Sequence, residues 1–567
     1  MINPKRPAPY QLDDSCTLLA WTYRAPICNM VSEKYADAID LSHHLSDIAR
    51  ARQTSPLKGL AKYLGKPGLI SLAGGMPNPS YFPFASISGE ALVSDTFSLD
   101  DPAESSSTSW FWKLFSSSSS KERTTPVTIG KYPKKPDDVN LATALQYGTA
   151  TGLPQLKEIL KEFVEKVYQP AYGNWTTLVH TGNTDGWAKS VLTLLNPGEG
   201  VLCSEWTYPS ALASAMPFSI TPVPVAMDGQ GMRSDALRKI LAEWDEAARG
   251  MPRPHVLYTV PVGQNPTGAT MLAARKKEIY AICVEYDIII VEDDPYYFLQ
   301  VGQYVPKSDR AQHKDLSSAS DDVFVAGLAP SYLKFDYQGR VIRLDTFSKT
   351  IAPGSRLGWY TCNPMFAERL ERAAETSTQA PGGFSQALVT SLLLEWKYDG
   401  YIRWLKGLRV QYKQRRDYFV DCLADEFHLR ETVGVQGYRA GSTVLEASLK
   451  PKGIFIDYKE KDVLYSRIFS LVPPTAGMFV WLEMHFEDHP SFADVGYKKL
   501  EEKLWIALAE AGVLFGPGQM FSATPVTDET KGNGHFRISF SFNEKSEMQK
   551  AVKIFGTVTR KFWSSKV

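Results

Sequence analysis

The chain has 567 residues, of which 44% are hydrophobic and 22% are charged, as in an ordinary globular protein. This length exceeds what one simple core accommodates, so we expect two domains. Lys plus Arg and Asp plus Glu both total 62, and this zero net charge gives no reason to expect nucleic acid or a membrane surface as a partner. No run is apolar enough to span a bilayer, the N-terminus lacks the apolar core of a signal peptide, and a cytoplasmic location is therefore expected.

The first part of the chain predicts an arm followed by turns and an insertion. Residues 1–70 are expected to form an N-terminal arm with some helix that contributes to the smaller domain, because 38–52 has mixed helical spacing with a candidate cap at Asp40. Residues 69–84 are rich in Gly and Pro and indicate turns. Serine runs make 101–138 low in complexity, which predicts a surface insertion without a packed core.

From about 140 to 365 the pattern alternates between helix and strand. Amphipathic 153–169 predicts a helix, HVLYTV (255–260) predicts an apolar strand, and IIIVED (288–293) predicts a β-branched strand that ends in acidic residues. Such strands alternating with helices predict a mostly parallel sheet covered by helices on both faces. Ligands bind beyond the carboxyl ends of strands in such folds, and the polar clusters GNTDG, QNPTG, DDPYY and TFSKT fall there.

The last part of the chain, about 366–567, does not continue the alternation of helix and strand patterns. Helical patterns at 368–377 and 395–426 precede a long region, 430–470, that is predicted to be irregular. Strand-like runs follow at 475–484, 514–521 and 536–542. We therefore expect a large domain over 71–365 and a smaller α+β domain over 366–567.

The cysteines and histidines predict neither a disulfide framework nor a metal site. Six cysteines are scattered without a C-x-x-C pair, which is typical of reduced thiols. His485 and His489 are four residues apart, but the sequence between them and Pro490 after them predict a polar loop. No metal is expected.

Lys349, in the run DTFSKT, is the residue that raises a chemical question. Lysine is usually an exposed cation, and a Ser-Lys pair on its own would indicate only an exposed lysine. A partly buried lysine has a lowered pKa, however, and its amine can attack an aldehyde. An aldehyde cofactor with a phosphate tail would also need an anion site, a carboxylate for a ring nitrogen and an aromatic face, and each of these can come from a neighbouring strand end.

Taken together, these motifs resemble the fold-type I aminotransferases that use pyridoxal 5′-phosphate (PLP). Within them the sequence is most similar to the group of fungal aromatic amino acid aminotransferases and kynurenine/2-aminoadipate aminotransferases. The motifs occur in the family's order and cover roughly residues 35 to 560. They are SLAGGMPNPSYFPF (71–84), LQYGTATGLPQLKE (145–158), NPGEGVLCSEWTYPSAL (196–212), QNPTG (264–268), VEDDPYYFLQ (291–300), DTFSKTIAPGSRLGW (345–359), AGMFVW (476–481) and FRISFS (536–541).

The resemblance implies a role for each matching residue. Lys349 would be the catalytic Schiff-base lysine, Asp293 would pair with the pyridine nitrogen, and Arg537 would hold the substrate carboxylate. The remaining assignments are Asn265 and Tyr296 at the phenolic oxygen, Tyr208 stacked on the ring, Asn183, Thr184, Thr346, Ser348 and Arg356 at the phosphate, Tyr147 at the phosphate of a neighbouring subunit, and Gly74 and Gly75, with Asn265, near the substrate. A homodimer with shared sites follows from the role of Tyr147.

The expected reaction moves an amino group from an aromatic or 2-aminoadipate-like amino acid to 2-oxoglutarate by a ping-pong route. Another PLP-dependent reaction at the α-carbon, a β-lyase or a decarboxylase, is the alternative, because the same electron sink serves all of these. A non-enzyme regulator built on this fold is a third reading. It would call for a DNA-binding domain and a basic face, and the first 70 residues show neither clearly.

Overall fold

A computed structural model describes residues 35–54, 68, 72–73, 75–99, 122–135, 137–310, 316–450, 466–524 and 533–565. The chain from Ala36 onward forms one compact unit. Its strands in chain order are β1 (Ser86–Leu92), β2 (Thr124–Gly130), β3 (Thr176–His180), β4 (Gly200–Ser204), β5 (Thr221–Val225), β6 (Met227–Asp228), β7 (Gly231–Met232), β8 (Val256–Thr259), β9 (Ile289–Asp293), β10 (Val341–Thr346), β11 (Gly358–Cys362), β12 (Phe427–Val433), β13 (Thr443–Leu449), β14 (Phe469–Leu471), β15 (Phe479–Met484), β16 (Gly516–Pro517) and β17 (Gly534–Ser539).

The helices connect these strands and cover the sheets. In chain order they are α1 (Asp47–Ala51), α2 (Leu141–Ala144), α3 (Pro154–Val167), α4 (Asn183–Leu194), α5 (Pro209–Ala215), α6 (Ser234–Ala242), α7 (Glu246–Arg249), α8 (Ala273–Glu285), α9 (Asp321–Ala326), α10 (Pro364–Glu375), α11 (Gly383–Glu426), α12 (Phe492–Val495), α13 (Tyr497–Glu510) and α14 (Lys545–Trp563). None of the helices in the described ranges is both long and apolar enough to cross a lipid bilayer.

A seven-stranded sheet with the order β3-β11-β10-β9-β8-β4-β5 forms the centre of the fold. Strand β11 is antiparallel to both its neighbours, whereas β10, β9, β8, β4 and β5 pair in parallel. Six strands therefore end at one edge. This topology confirms the predicted mostly parallel sheet.

Both faces of this sheet are buried because apolar side chains of its strands point to each face. In β9, Ile289 and Val291 contribute to one core, with Val191 of helix α4. Ile290 contributes to the opposite core, with Leu160 of helix α3. Successive side chains of a strand point to opposite faces, so an unbroken apolar run requires a layer of helices on each side, as predicted.

A second, antiparallel sheet has six strands in the order β12-β13-β14-β15-β17-β16. Helix α14 packs on it, and the ring of Phe555 lies 5.3 Å from that of Phe427 and 5.5 Å from that of Phe469. Strands β12 and β13 lie within 427–449, so the prediction of an irregular region over 430–470 was wrong there. Buried apolar residues alternate along β13 at Leu445, Ala447 and Leu449, and β13 pairs with β12 over the whole length of both strands.

The predicted insertion over 101–138 contains more structure than expected. Residues 101–121 lie outside the described residues, but β2 pairs antiparallel with β1 from Leu92–Thr124 to Ser86–Gly130. Val127 and Ile129 alternate as buried residues along β2, and this period of two is the strand signal that the serine content obscured.

The segment before it, 38–52, forms two short helices. The first is the 3-10 helix Ser42–His44. The second is α1, whose cap is Ser46: its Oγ accepts from the amide of Ala49. The candidate cap Asp40 accepts instead from the amide of Ser42, ahead of the 3-10 turn.

His485 and His489 flank the short 3-10 helix Phe486–Asp488 and are buried, not exposed in a polar loop. His485 contacts Ser470 at 2.6 Å, and His489 contacts the carbonyl of Phe562 at 3.1 Å. The four cysteines within the described ranges, Cys203, Cys283, Cys362 and Cys422, are buried and free.

A buried arginine ties strands β9 and β10 together below their carboxyl ends. Arg343 donates to Asp294 at 3.0 Å and to Asp345 at 2.9 Å, and it lies 3.1 Å from a carboxylate oxygen of Glu292. Its guanidinium also stacks 3.9 Å from the ring centre of Tyr168. Arg343 therefore contacts three buried carboxylates, and Lys276 lies 3.6 Å from Glu292 as a second cation. Carboxylates out of reach of water depend on such partners.

We expect Arg343→Ala to lower the free energy of unfolding by about 3–5 kcal/mol, the usual cost of leaving a buried partner charge uncompensated. Denaturant titration followed by tryptophan fluorescence measures this loss. The matched control is Arg238→Ala, because Arg238 pairs with Glu285 at an exposed site and should change stability little. Equal effects of the two substitutions would contradict the role given to Arg343.

Candidate active site

The predicted site residues follow strand ends that meet at one edge of the seven-stranded sheet. Asp293 ends β9, Thr346 ends β10, and Asn265 lies in the loop after β8. Helix α4 starts at Asn183 directly after β3, and Tyr208 precedes helix α5 after β4. The parallel topology alone brings these distant segments together.

Asp293 is a buried carboxylate with a hydrogen bond to each oxygen. Asn183 Nδ2 donates to Oδ1 at 2.7 Å, and Tyr258 Oη donates to Oδ2 at 2.7 Å. Burial raises the pKa of Asp293, and these two donors counter that rise because they stabilise the ionised form. A cationic group facing this carboxylate would further stabilise its ionised form.

Lys349 is the last residue of the 3-10 helix Phe347–Lys349, which directly follows β10. The residue is half-buried, and loss of water lowers the pKa of Lys349, with further lowering from the positive charges of Arg537 and Arg356. An amine held closer to its neutral form is a better nucleophile and base, so this lysine fits chemistry better than a structural ion pair.

Hydroxyl and guanidinium donors surround the start of helix α4. Thr346 Oγ1 accepts from the amide of Ser348 and donates to its Oγ at 2.8 Å. Arg356 lies near Gly182, the residue before the helix, and donates to the carbonyl of Thr181 at 2.8 Å. Gly182 has a φ of 99°, and a Cβ there would collide with the guanidinium of Arg356, so this position requires glycine.

Asn183 and Thr184 were both predicted to bind the phosphate, but the side chain of Asn183 points elsewhere. The side chain of Asn183 is directed to Asp293 and to the carbonyl of Leu344, at 3.1 Å. Its backbone, like that of Thr184, belongs to the first turn of helix α4, where amides point out of the helix toward an anion. A phosphate at this helix end would meet partial positive charge together with Ser348 and Arg356.

Arg537 extends from β17 of the second sheet to the same place. Its Nη1 donates to Asn265 Oδ1 at 2.9 Å. The guanidinium lies 4.3 Å from the ring centre of Phe479 and 4.7 Å from that of Phe521. Burial lowers the pKa of Arg537, which still remains cationic, and the aromatic rings hold its planar group in one orientation.

The aromatic candidates lie beside these charges. Tyr296 is buried, and its ring meets that of Phe479 edge to face at 5.9 Å. Burial raises the pKa of Tyr296, so its hydroxyl stays protonated and can donate. Tyr208 is half-buried at the start of helix α5.

Two candidates lie apart from this cluster in the single chain. Tyr147 is 66% exposed and lines a cleft of about 1330 Å³ with Met76 and Gly383. Gly75 is exposed, with no atom within 4 Å of where a Cβ would lie. Gly74 lies outside the described residues.

Sequence reasoning missed Tyr258, Phe479 and Phe521. Tyr258 lies inside β8, where its aromatic ring reads as a core residue, and only the pairing of β8 with β9 shows that its hydroxyl reaches Asp293. Phe479 and Phe521 come from the second sheet and the short helix Gly518–Phe521. AGMFVW contains Phe479, but nothing in its spacing indicates a contact with Arg537.

Comparison with known proteins agrees with this geometry. The family model for aminotransferase class I and II matches residues 128–442. An aromatic amino acid aminotransferase of Schizosaccharomyces pombe is 36% identical over 530 residues, covering 92% of this chain and 98% of the relative. An L-tyrosine:2-oxoglutarate aminotransferase of Serpula lacrymans is 34% identical and covers 87% of this chain and 86% of its own length. The crystal structure of the Candida albicans aminotransferase Aro8 superimposes with a TM-score of 0.76 at 32% identity, covering 94% of this chain and 100% of that chain.

The chain belongs to the class I and II aminotransferases. It is a PLP-dependent enzyme that acts on amino acid and 2-oxo acid substrates. The residues present fit the cofactor: a buried carboxylate faces the site at Asp293, a half-buried amine lies at Lys349, and anion donors gather at the start of helix α4. The membership confirms the predicted fold class and cofactor.

We expect Tyr258→Phe to weaken cofactor binding about 10- to 100-fold. The substitution removes a hydrogen bond to a charged group, usually worth about 1.5–3 kcal/mol. It also raises the pKa of Asp293 further, because a donor to the ionised form is lost. The dissociation constant of PLP, measured by absorbance titration, reports the effect.

Tyr332→Phe is the matched control, because Tyr332 is equally buried and its hydroxyl contacts Met271 Sδ instead of the site. It should leave the PLP dissociation constant unchanged. The same constant in Tyr258→Phe and in the wild type would show that the hydroxyl does not support Asp293.

Proposed function

We propose that this protein is an aromatic amino acid aminotransferase that passes the amino group to 2-oxoglutarate by a ping-pong route. The observation that carries the proposal is the placement of Lys349, Asp293 and Arg537 around one set of strand ends. The aromatic donor and the acceptor are supported by the relatives, which are named for aromatic amino acids and for L-tyrosine with 2-oxoglutarate.

Lys349 is the proposed catalytic residue. Bound PLP supplies an electron sink that makes the proton on the substrate Cα labile. The Nζ of Lys349 is placed to take that proton and to return it, because its lowered pKa favours the neutral amine. Lys349 is also the amine that holds the cofactor when no substrate is bound.

The other residues hold the cofactor in this proposal. Asp293 faces the ring nitrogen, and Asn183 and Tyr258 fix its carboxylate. Tyr296 and Asn265 serve the phenolic oxygen, and Tyr208 covers the ring. The phosphate is assigned to the start of helix α4 with Thr184, and to Thr346, Ser348 and Arg356.

Arg537 is the proposed anchor for the substrate carboxylate. A guanidinium offers donors on two edges, so it can keep Asn265 and still bind a carboxylate in a bidentate pair. Phe479 and Phe521 surround it with apolar surface that suits an aromatic side chain. A carboxylate held in this way is retained, which favours transamination over the alternative of decarboxylation. Gly74 and Gly75 are proposed near the mouth of the site.

We expect the purified holoenzyme to form glutamate from 2-oxoglutarate with L-phenylalanine or L-tyrosine as donor. The kcat/KM for phenylalanine should exceed that for alanine about 10- to 100-fold, since burying a large apolar side chain contributes about 1.5–3 kcal/mol. Lys349→Ala should lower kcat by at least about 10²–10⁴-fold, the usual contribution of a general acid and base. Coupled assay of glutamate measures all three.

Lys334→Ala is the control for the lysine, because Lys334 is exposed at the end of the 3-10 helix Tyr332–Lys334. Absence of glutamate with every aromatic donor would overturn the proposed substrates. Formation of pyruvate and ammonia from a β-substituted amino acid, without glutamate, would favour the β-lyase reaction.

The protein is further proposed to act as a homodimer with shared sites. Several apolar side chains near the cleft of Tyr147 are exposed in the single chain, although such residues are usually buried. They are Met76, Tyr81, Phe84, Tyr132, Tyr147, Phe384 and Leu388. Tyr147 then reaches the phosphate bound by the partner subunit.

A mixing experiment tests the sharing. A Lys349→Ala chain and a Tyr147→Ala chain are each expected to be defective. In a mixed dimer with two-fold symmetry, one site combines the intact Lys349 of one chain with the intact Tyr147 of the other, so random mixing should restore roughly a quarter of wild-type activity. Mixing wild type with the double variant is the control, since no additional intact site forms. No recovery in the first mixture would contradict shared sites.

A further inference from the structure

Two adjacent histidines meet an aspartate on the side of the fold away from the proposed active site. His43 and His44 lie in the 3-10 helix Ser42–His44, and Asp287 follows helix α8. His43 Nε2 lies 2.7 Å from Asp287 Oδ2, and His44 Nε2 lies 3.1 Å from Oδ1. In the part of the chain that the structure describes, their ligand atoms form a group in which all lie within 4.8 Å of one another.

The surroundings of the aspartate leave one oxygen for a further ligand. Arg340 Nη1 donates to Oδ1 at 2.6 Å, so this oxygen already has a cationic partner. Oδ2 faces His43, whose side chain is 57% exposed, while that of His44 is 3% exposed. The group therefore has a fixed inner side and an outer side open to water, where a fourth ligand can bind.

A chain of contacts behind His44 holds its imidazole ring in place. His44 Nδ1 lies 3.0 Å from His255 Nδ1, and His255 Nε2 lies 3.2 Å from Glu199 Oε2. The ring of His44 is therefore fixed with its Nε2 toward Asp287.

A metal ion on His44 Nε2 fits this chain of contacts. Nδ1–H of His44 can then donate to His255 Nδ1, and Nε2–H of His255 can donate to Glu199. A ligating histidine that passes its other N–H toward a carboxylate is the arrangement that orients such ligands in zinc proteins, here extended by one imidazole.

We propose that His43 Nε2, His44 Nε2 and Asp287 Oδ2 bind one zinc ion, with water as the fourth ligand. Two imidazoles and one carboxylate are ligands that zinc prefers. One ligand atom of each of the three residues lies within 4.8 Å of the others, so a single ion can reach all three. Arg340 keeps Asp287 Oδ1, so the carboxylate binds through one oxygen.

The ion fastens the segment before helix α1 to the seven-stranded sheet. The same segment is already held by Ser46, whose amide donates to the carbonyl of Thr193 at 2.9 Å and whose Oγ donates to that of Leu192 at 2.6 Å. The three zinc ligands come from two stretches more than 240 residues apart, at 43–44 and at 287. They meet only in the folded chain, so zinc binds the native state and stabilises it.

The test is zinc binding to the PLP-loaded enzyme after chelator treatment. We expect one zinc ion per chain by mass spectrometry of bound metal, and a Tm that rises with zinc concentration. His43→Ala should weaken zinc binding, measured calorimetrically, at least about tenfold, because even outer contacts to zinc ligands are worth 10- to 100-fold. His43 is exposed, so its substitution leaves the fold and the transaminase activity without zinc unchanged.

Two further variants complete the design. Asp287→Asn should give the same loss, and asparagine tolerates the φ of 56° at this position. His428→Ala replaces an exposed histidine on β12, far from the group, and should bind zinc as the wild type does. Equal zinc affinity in the wild type, His43→Ala and Asp287→Asn would overturn the proposal, and so would a Tm that does not respond to zinc.

Discussion

Asp293 is a carboxylate removed from water at the end of β9, and the proposed active site depends on keeping it charged. Burial raises its pKa, and the donors Asn183 and Tyr258 recover only part of the lost hydration. A positive charge in front of the carboxylate would supply the missing part, and in the proposed function that charge would be a protonated ring nitrogen. Below it, the neighbouring carboxylates of Glu292, Asp294 and Asp345 are paired with Arg343, and Glu292 also with Lys276.

The same charge logic separates the lysine from the aspartate. Lys349 lies at the end of the next strand, β10, where Arg537 and Arg356 oppose its protonation. An ion pair between Lys349 and Asp293 would keep the lysine protonated, because each group would stabilise the charged form of the other. A protonated lysine cannot act as a base. Cations near the lysine favour its neutral amine, and neutral donors on the aspartate favour its ionised form, which are the two states that the proposed function needs.

Much of this could be predicted from the sequence, because the motifs that carry the chemistry are local. QNPTG, EDDPYY and TFSKT each place a polar residue directly after an apolar strand, and parallel strands bring such positions to one edge. Contacts between residues distant in the chain could not be predicted. Tyr258 lies within β8 and has the sequence pattern of a core residue, so its contact with Asp293 could not be predicted. His43 and Asp287 are 244 positions apart, and nothing in the sequence near either residue indicates their contact. Strand β2 was missed because the serine runs before it dominate the composition.

The contact between Arg537 and Asn265 joins the two sheets across 272 positions of the chain. Asn265 follows β8 of the parallel sheet and is proposed to serve the cofactor, while Arg537 belongs to β17 and is proposed to serve the substrate. A carboxylate bound to the free edge of the guanidinium would therefore be held by a residue of the second sheet that is itself bonded to the parallel sheet. Phe479 and Phe521 restrict the orientation of the guanidinium, so a carboxylate bound to it would be fixed in direction as well as in position. In the proposed function, the hydrogen bond between Arg537 and Asn265 would therefore couple substrate orientation to cofactor contact, and both would depend on the alignment of the two sheets.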